Sequence, residues 1–218
     1  MKFTVRLTLL AALALVSVPS GAESGDRGME LATTGAGTGI VPCVACHGAD
    51  GLGNSAAAFP SLAGLDQDYI TRQLRLIRDG GRAVPVMAPG LSSLTDGDAE
   101  ALGRYYASLT PPPAADAALS DEEAATGEAL ARVGDWPGRE LPACLQCHGP
   151  DGGGVGEAFP ALAGQHASYL AAQLTAWKEG ARGTDPNDLM GTIARKLTET
   201  EIQAVSKWLA ATPRRSER

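Results

Sequence analysis

The sequence predicts an all-α chain made of two tandem domains of one kind. Apolar residues recur at helical spacing in each half, no alternating strand pattern of useful length is present, and the second half repeats the motifs of the first. Gly28-Met29-Glu30-Leu31-Ala32 answers Gly127-Glu128-Ala129-Leu130-Ala131, and Phe59-Pro60-Ser61-Leu62-Ala63-Gly64 answers Phe159-Pro160-Ala161-Leu162-Ala163-Gly164. Tyr69, Gln73 and Leu74 likewise answer Tyr169, Gln173 and Leu174. The offset drifts from 99 (Gly28 to Gly127) to 103 (Leu94 to Leu197), so short loop insertions separate two copies of a domain.

Taken in order, residues 1–22 read as a signal peptide. Lys2 and Arg6 form the basic start, Leu7 to Val18 the apolar run, and Ser20-Gly21-Ala22 a small-residue cleavage site. The run is short for a membrane anchor, the competing reading. The first domain is expected at 23–110. Its first clear helix carries Tyr69, Ile70, Gln73, Leu74 and Ile77 on one face and stops at Gly80. Its closing helix begins at the capping box Thr95-x-x-Asp98 and buries Leu102, Tyr105, Tyr106 and Leu109. Pro111-Pro112-Pro113 cannot continue a helix, which marks 111–120 as a stiff linker. The second domain, 121–218, repeats the plan. A helix with Tyr169, Leu170, Leu174 and Trp177 ends at Gly180, and a closing helix capped by Thr198-x-x-Glu201 buries Ile202, Val205, Trp208 and Leu209. The tail from Pro213 to Arg218 is charged and expected to fray.

All four cysteines lie in two runs, Cys43-Val44-Ala45-Cys46-His47 and Cys144-Leu145-Gln146-Cys147-His148. Behind a secretory leader, C-x-x-C-H reads as a covalent haem attachment site. Two thiols three positions apart can bond the two vinyl groups on one porphyrin edge, and the following histidine is carried beneath the ring toward the iron. Three rivals exist: a tetrathiolate zinc site, a thioredoxin-like pair and two plain disulfides. None of them explains a His-Gly after each pair. Two haems also answer a compositional puzzle. At 218 residues with 5% aromatics, each of two domains of about 100 residues has few large side chains for a core, and a porphyrin supplies that bulk.

The sixth position of each iron needs a ligand. Met1 leaves with the leader, and Met29 has no methionine counterpart in the second copy. Met87 and Met190 remain, one per copy, 40 residues after His47 and 42 after His148, in stretches that read as loops. They are the expected axial partners of His47 and His148, although a thioether can equally serve as a soft core filler. His166, near the start of a helix, is a rival ligand, but its counterpart is Asp66. A carbonyl near Phe59-Pro60 or Phe159-Pro160 could accept the proximal His N–H, or the Pro could simply end a loop. Gly51-Leu52-Gly53 and Gly152-Gly153-Gly154 lack the lysine of a phosphate loop and read as tight turns. No nucleophile triad, histidine cluster or dinucleotide fingerprint is present. The formal charge of −7 becomes −9 once Lys2 and Arg6 leave, which argues against nucleic acid or an anionic membrane surface as partner.

These elements together resemble the dihaem cytochromes c of the cytochrome c4 family, members of the class I cytochromes c. Cys43-x-x-Cys46-His47-Gly48, Phe59-Pro60-x-Leu62-Ala63-Gly64, Tyr69-x-x-x-Gln73-Leu74 and the Met87 stretch carry the likeness in the first half. Pro142-Ala143-Cys144-x-x-Cys147-His148-Gly149, Phe159 to Ala167 and the Met190 stretch carry it in the second. The resemblance implies two class I cytochrome c domains, each wrapped round one haem c, with the haem edges close together. It further implies a periplasmic carrier of single electrons, not an enzyme, that delivers to a terminal oxidase. One departure is that residues 23–110 hold no Lys and set six Arg against ten acids, where family members often have a lysine-rich first domain. Two other roles fit the same residues. One is the cytochrome subunit of a dehydrogenase, such as a flavin enzyme oxidising sulfide or an alcohol. The other is a dihaem peroxidase, which would need an open iron position that two methionines deny.

Overall fold

The computed structural model describes residues 21–37, 39–115 and 118–214. The expected leader therefore lies, up to residue 20, outside the described residues, as do linker positions 116 and 117. Among the described residues every regular element is helical, and β pairing is limited to three single bridges, Asn54–Phe59, Asp135–Leu141 and Val155–Phe159. No described helix is long and apolar enough to cross a membrane.

Each half repeats one layout. In the first, α1 (Gly21–Thr34) is followed by the single turn α2 (Val44–His47), then α3 (Gln67–Arg78) and α4 (Asp96–Ser108). In the second, α5 (Asp121–Arg132) and the short α6 (Trp136–Arg139) precede the turn α7 (Cys144–Cys147), followed by α8 (Ala167–Lys178), α9 (Leu189–Arg195) and α10 (Glu199–Ala211).

The opening helices α1 and α5, absent from the periodicity argument, cross the closing helices α4 and α10 at glycine. A Cβ on Gly28 would stand 2.2 Å from Ala101 O, and one on Gly127 would stand 2.5 Å from Trp208 Cβ. The glycine that heads each copy of the repeat is thus the contact point where two backbones meet. The closing helices start as the sequence predicts, with reciprocal capping boxes at Thr95/Asp98 and Thr198/Glu201. A third box, Ser120/Glu123, starts α5. Gly80 and Gly180 take φ of +78° and +75° just past α3 and α8, the left-handed stop that glycine adopts without strain.

The cores lie between these helices. Leu31, Ile70, Leu74, Ile77, Leu102 and Tyr106 are buried in the first half, and Leu130, Leu145, Leu170, Ile202, Val205 and Leu209 in the second. The proline segment is not a free spacer. Pro111 covers Gly64, Pro112 is buried, and Ala115 N–H donates to Ala210 O at 2.9 Å. The tail also departs from expectation. Residues 215–218 lie outside the described set, but Arg214 is held at both copies of the Ala-Gly motif, donating to Ala163 O at 3.1 Å and Ala63 O at 3.2 Å. Two carbonyls converging from different domains give the guanidinium fork a fixed seat.

Candidate functional site

Among the described residues an apolar cleft lies against the C-x-x-C-H turn of each domain. The first, about 450 Å³, is lined by Cys43, Cys46, His47, Phe59, Met87 and Leu102 among others. The second, about 430 Å³, is lined by Cys144, Cys147, His148, Phe159, Met190 and Trp177. The four cysteines form no disulfide, and each pair faces its own cleft, so four thiolates do not converge on one metal. Among the described residues no group of three or more His, Cys, Asp or Glu is placed to hold an ion.

Short helices set the attachment residues. One turn at α2 or α7 puts Cys43 and Cys46, or Cys144 and Cys147, on the same wall, with the histidine directly after. The loop then folds back so that His47 Nδ1 meets Pro60 O at 3.0 Å and His148 Nδ1 meets Pro160 O at 2.8 Å. A carbonyl only accepts, so Nδ1 carries the hydrogen and Nε2 keeps its lone pair for the cleft. Of the two readings of the Phe-Pro pairs, the carbonyl acceptor is realised. Burial pushes both imidazoles below their usual range, against the opposing pull of the proline carbonyls, which favours the neutral ring that a metal ligand requires. Burial also raises the thiols of Cys43 and Cys144, the latter to about 11. Gly51, Gly53, Gly152 and Gly154 all have positive φ, in keeping with tight turns beside the clefts.

Met87 and Met190 line the same clefts as His47 and His148, but the second does not lie in a loop. Met190 belongs to helix α9, whose start is fixed by Asp188 at φ +52° and by a 2.6 Å bond from Met190 N–H to Asp185 Oδ2. Met87 precedes a turn of 3₁₀ helix, its N–H bonded to Val84 O at 2.9 Å. Pro186 and Gly191 break the helical pattern in the sequence, which hid α9. His166 lines neither cleft. Its Nε2 meets Leu52 O of the other domain at 2.8 Å.

Motif reading missed the cluster that joins the clefts. Tyr69, Gln73, Tyr169, Gln173 and Arg182 line both. Arg82 is 9% exposed and donates to Gln73 Oε1 at 2.9 Å, Tyr169 Oη at 3.0 Å and Gln173 Oε1 at 2.8 Å. Arg182 donates to Gln173 Oε1 at 2.6 Å, stacks over Trp177 at 4.8 Å, and leaves its buried Nε without a partner. Among the described residues neither guanidinium has a carboxylate within ion-pair distance. Buried cations demand anions. The one visible hint in the sequence was their repetition, Gly80-Gly81-Arg82 against Gly180-Ala181-Arg182.

A porphyrin fits these residues. Its ring is apolar like the cleft walls, its vinyl groups suit the cysteine pairs, and its two carboxylates suit Arg82 and Arg182. Two clefts, each with a C-x-x-C-H turn on its wall and a methionine in its lining, define a dihaem c-type cytochrome. Comparison with known proteins agrees. The family model described as "Cytochrome c" matches residues 137–213, and that described as "Cytochrome C oxidase, cbb3-type, subunit III" matches residues 30–105.

The chain belongs to the dihaem family of cytochrome c4 and the thiosulfate dehydrogenase electron acceptors, and it carries two covalently bound haem c groups. It is 45% identical to the thiosulfate dehydrogenase electron acceptor of Stutzerimonas stutzeri, over 92% of this chain and 93% of that protein. It is 37% identical to cytochrome c4 of Pseudomonas aeruginosa, over 93% and 96%. Among solved structures, thiosulfate dehydrogenase (TsdBA) from Marichromatium purpuratum superposes with a TM-score of 0.79 at 46% identity, covering 87% of this chain and 40% of that one. Reduced recombinant cytochrome c4 from Pseudomonas stutzeri gives 0.75 at 34% identity, over 87% and 98%.

Proposed function

We propose that this protein is an exported electron acceptor for a thiosulfate dehydrogenase, working in the periplasm and passing single electrons onward to a terminal oxidase. The observation that carries the reading is the shared wall of Tyr69, Gln73, Tyr169, Gln173 and Arg182, which sets two one-electron centres side by side. Taking two electrons from a pair of thiosulfates joins them through a sulfur–sulfur bond, and two such centres can accept both electrons. The likeness to acceptors of that name supports the donor, and the leader at 1–22 supports export.

When bound, each haem supplies an iron that alternates between ferrous and ferric states. The chain's own residues do the rest. Cys43, Cys46, Cys144 and Cys147 anchor the rings, and His47 and His148 present Nε2 from imidazoles oriented by Pro60 and Pro160. Met87 and Met190, which line the same clefts, would each offer a thioether to the iron and so keep substrates off the metal. Leu102 in the first cleft and Val205 and Leu209 in the second exclude water, which keeps reorganisation on electron transfer small.

A second reading, a permanent subunit rather than a free carrier, is favoured by the match to only 40% of a longer solved chain. The test is to mix the oxidised holoprotein with thiosulfate and a catalytic amount of thiosulfate dehydrogenase. Both haems should become reduced at a rate proportional to enzyme, and spectra unchanged beyond an enzyme-free control would refute the proposal.

A further inference from the structure

The first cleft holds a buried hydroxyl that the second lacks. Tyr106 on α4 is 2% exposed and lines the first cleft, yet its Oη has no hydrogen-bond partner. Its counterpart is Leu209 on α10. Gly64 N–H donates to Tyr106 O at 2.8 Å and Gly164 N–H to Leu209 O at 3.0 Å, so the two residues occupy the same step of the repeat. The surroundings of the first cysteine differ accordingly. Cys43 has the Tyr106 hydroxyl beside it, without a closed hydrogen bond, whereas Cys144 Sγ faces the Leu130 carbonyl at 3.7 Å.

A buried hydroxyl left unpaired is costly, and native proteins seldom tolerate one without a use. As a free thiol, Cys43 can donate or accept. Attachment changes that: sulfur bonds a vinyl carbon and the thiol hydrogen ends on the neighbouring carbon, with no net oxidation. The resulting thioether sulfur can only accept. We propose that the Tyr106 hydroxyl donates to the Cys43 thioether and thereby tunes the first haem. The positive end of the O–H dipole, aimed at a sulfur on the ring periphery, stabilises the electron-rich ferrous form in a low-dielectric cleft. Leu209 provides no such dipole, so the second haem lacks this contribution. Tyr106 is a tuning residue that acts through the Cys43 sulfur.

The experiment is an equilibrium redox titration of full-length holoprotein with Tyr106→Phe, which keeps the ring and removes only the hydroxyl. Paramagnetic proton resonances assign each step to its haem. The reduction equilibrium constant of the first haem should fall three- to tenfold, about 28 to 59 mV at 59 mV per decade, and that of the second should stay fixed. Tyr106→Leu, which copies the second site, should move the same step in the same direction. An unshifted first step, or equal shifts in both steps, overturns the proposal, even if the unfolding midpoint changes.

Discussion

Ser61 and Gln165 close a reciprocal pair across the two domains. Ser61 N–H donates to Gln165 Oε1 at 2.9 Å and Gln165 Nε2 donates to Ser61 O at 2.8 Å, with both residues almost wholly buried. The side-chain amide thus stands in for a strand neighbour, satisfying one residue's backbone donor and acceptor at once. His166 N–H shares the same oxygen at 3.0 Å. Replacing Gln165 by Leu keeps bulk but leaves two buried backbone groups unpaired, each worth about 1–3 kcal/mol. Gln165→Leu should therefore lower stability by about 2–6 kcal/mol. Denaturant unfolding of the holoprotein checks this. An unchanged midpoint would mean that water replaces the amide.

Gln165 also marks where sequence reading stopped. The caps at Thr95 and Thr198 and the stops at Gly80 and Gly180 were legible because each is a local bond or a local φ that residue type dictates. The clefts were legible because covalent attachment fixes cysteine spacing. Gln165 has Leu65 as its counterpart, so the repeat gave no signal, and its partner lies 104 residues away. Contacts of that range depend on how the helices stack. The Arg82 cluster failed to emerge for the same reason, since its partners Tyr169 and Gln173 are distant in the chain. Helix α9 was missed for the opposite cause: its start rests on one side-chain bond, Asp185 to Met190 N–H, amid residues that discourage helix.

Met190 and Met87, the proposed axial ligands, differ in how they are held, one by a carboxylate and one by a carbonyl. Thioether ligation raises a haem potential relative to nitrogen ligation. Met190→His should lower the second haem's potential by on the order of 0.1 V or more, within the roughly 0.8 V that axial ligands control. The thioether-to-ferric charge-transfer band should lose half its intensity at the same time. Full retention of the band would exclude Met190 as a ligand.

Acid should loosen the second domain in part through Glu201. Its hydrogen bonds from Arg139, at 2.8 and 3.0 Å, hold the carboxyl down at about 2, well below its ordinary 4.5. The folded value lies below the unfolded one, so this contribution is complete above about pH 4.5 and disappears as pH falls through 2. Glu201 also closes the cap of α10 through Thr198. Glu201→Gln should lower the unfolding midpoint at neutral pH and flatten its pH dependence between about 4.5 and 2. Parallel wild-type and variant curves across that window would contradict this assignment.

Arg82 offers the sharpest test of the joint between the clefts. It is buried, carries a full charge, and spans both domains through Gln73, Tyr169 and Gln173 with no carboxylate of the described chain beside it. Reducing either haem adds one electron near that charge, so the guanidinium favours the ferrous state of both. Arg82→Gln removes the charge and should lower both reduction equilibrium constants, on the order of tenfold or about 59 mV for the nearer haem. Arg82→Lys keeps the charge but loses the fork that holds three acceptors, so it should restore much of the potential while still weakening the domain interface. Redox titration paired with denaturant unfolding separates the two roles. A potential lost in the Gln variant and regained in the Lys variant is electrostatic, whereas equal losses in both would assign Arg82 to packing alone.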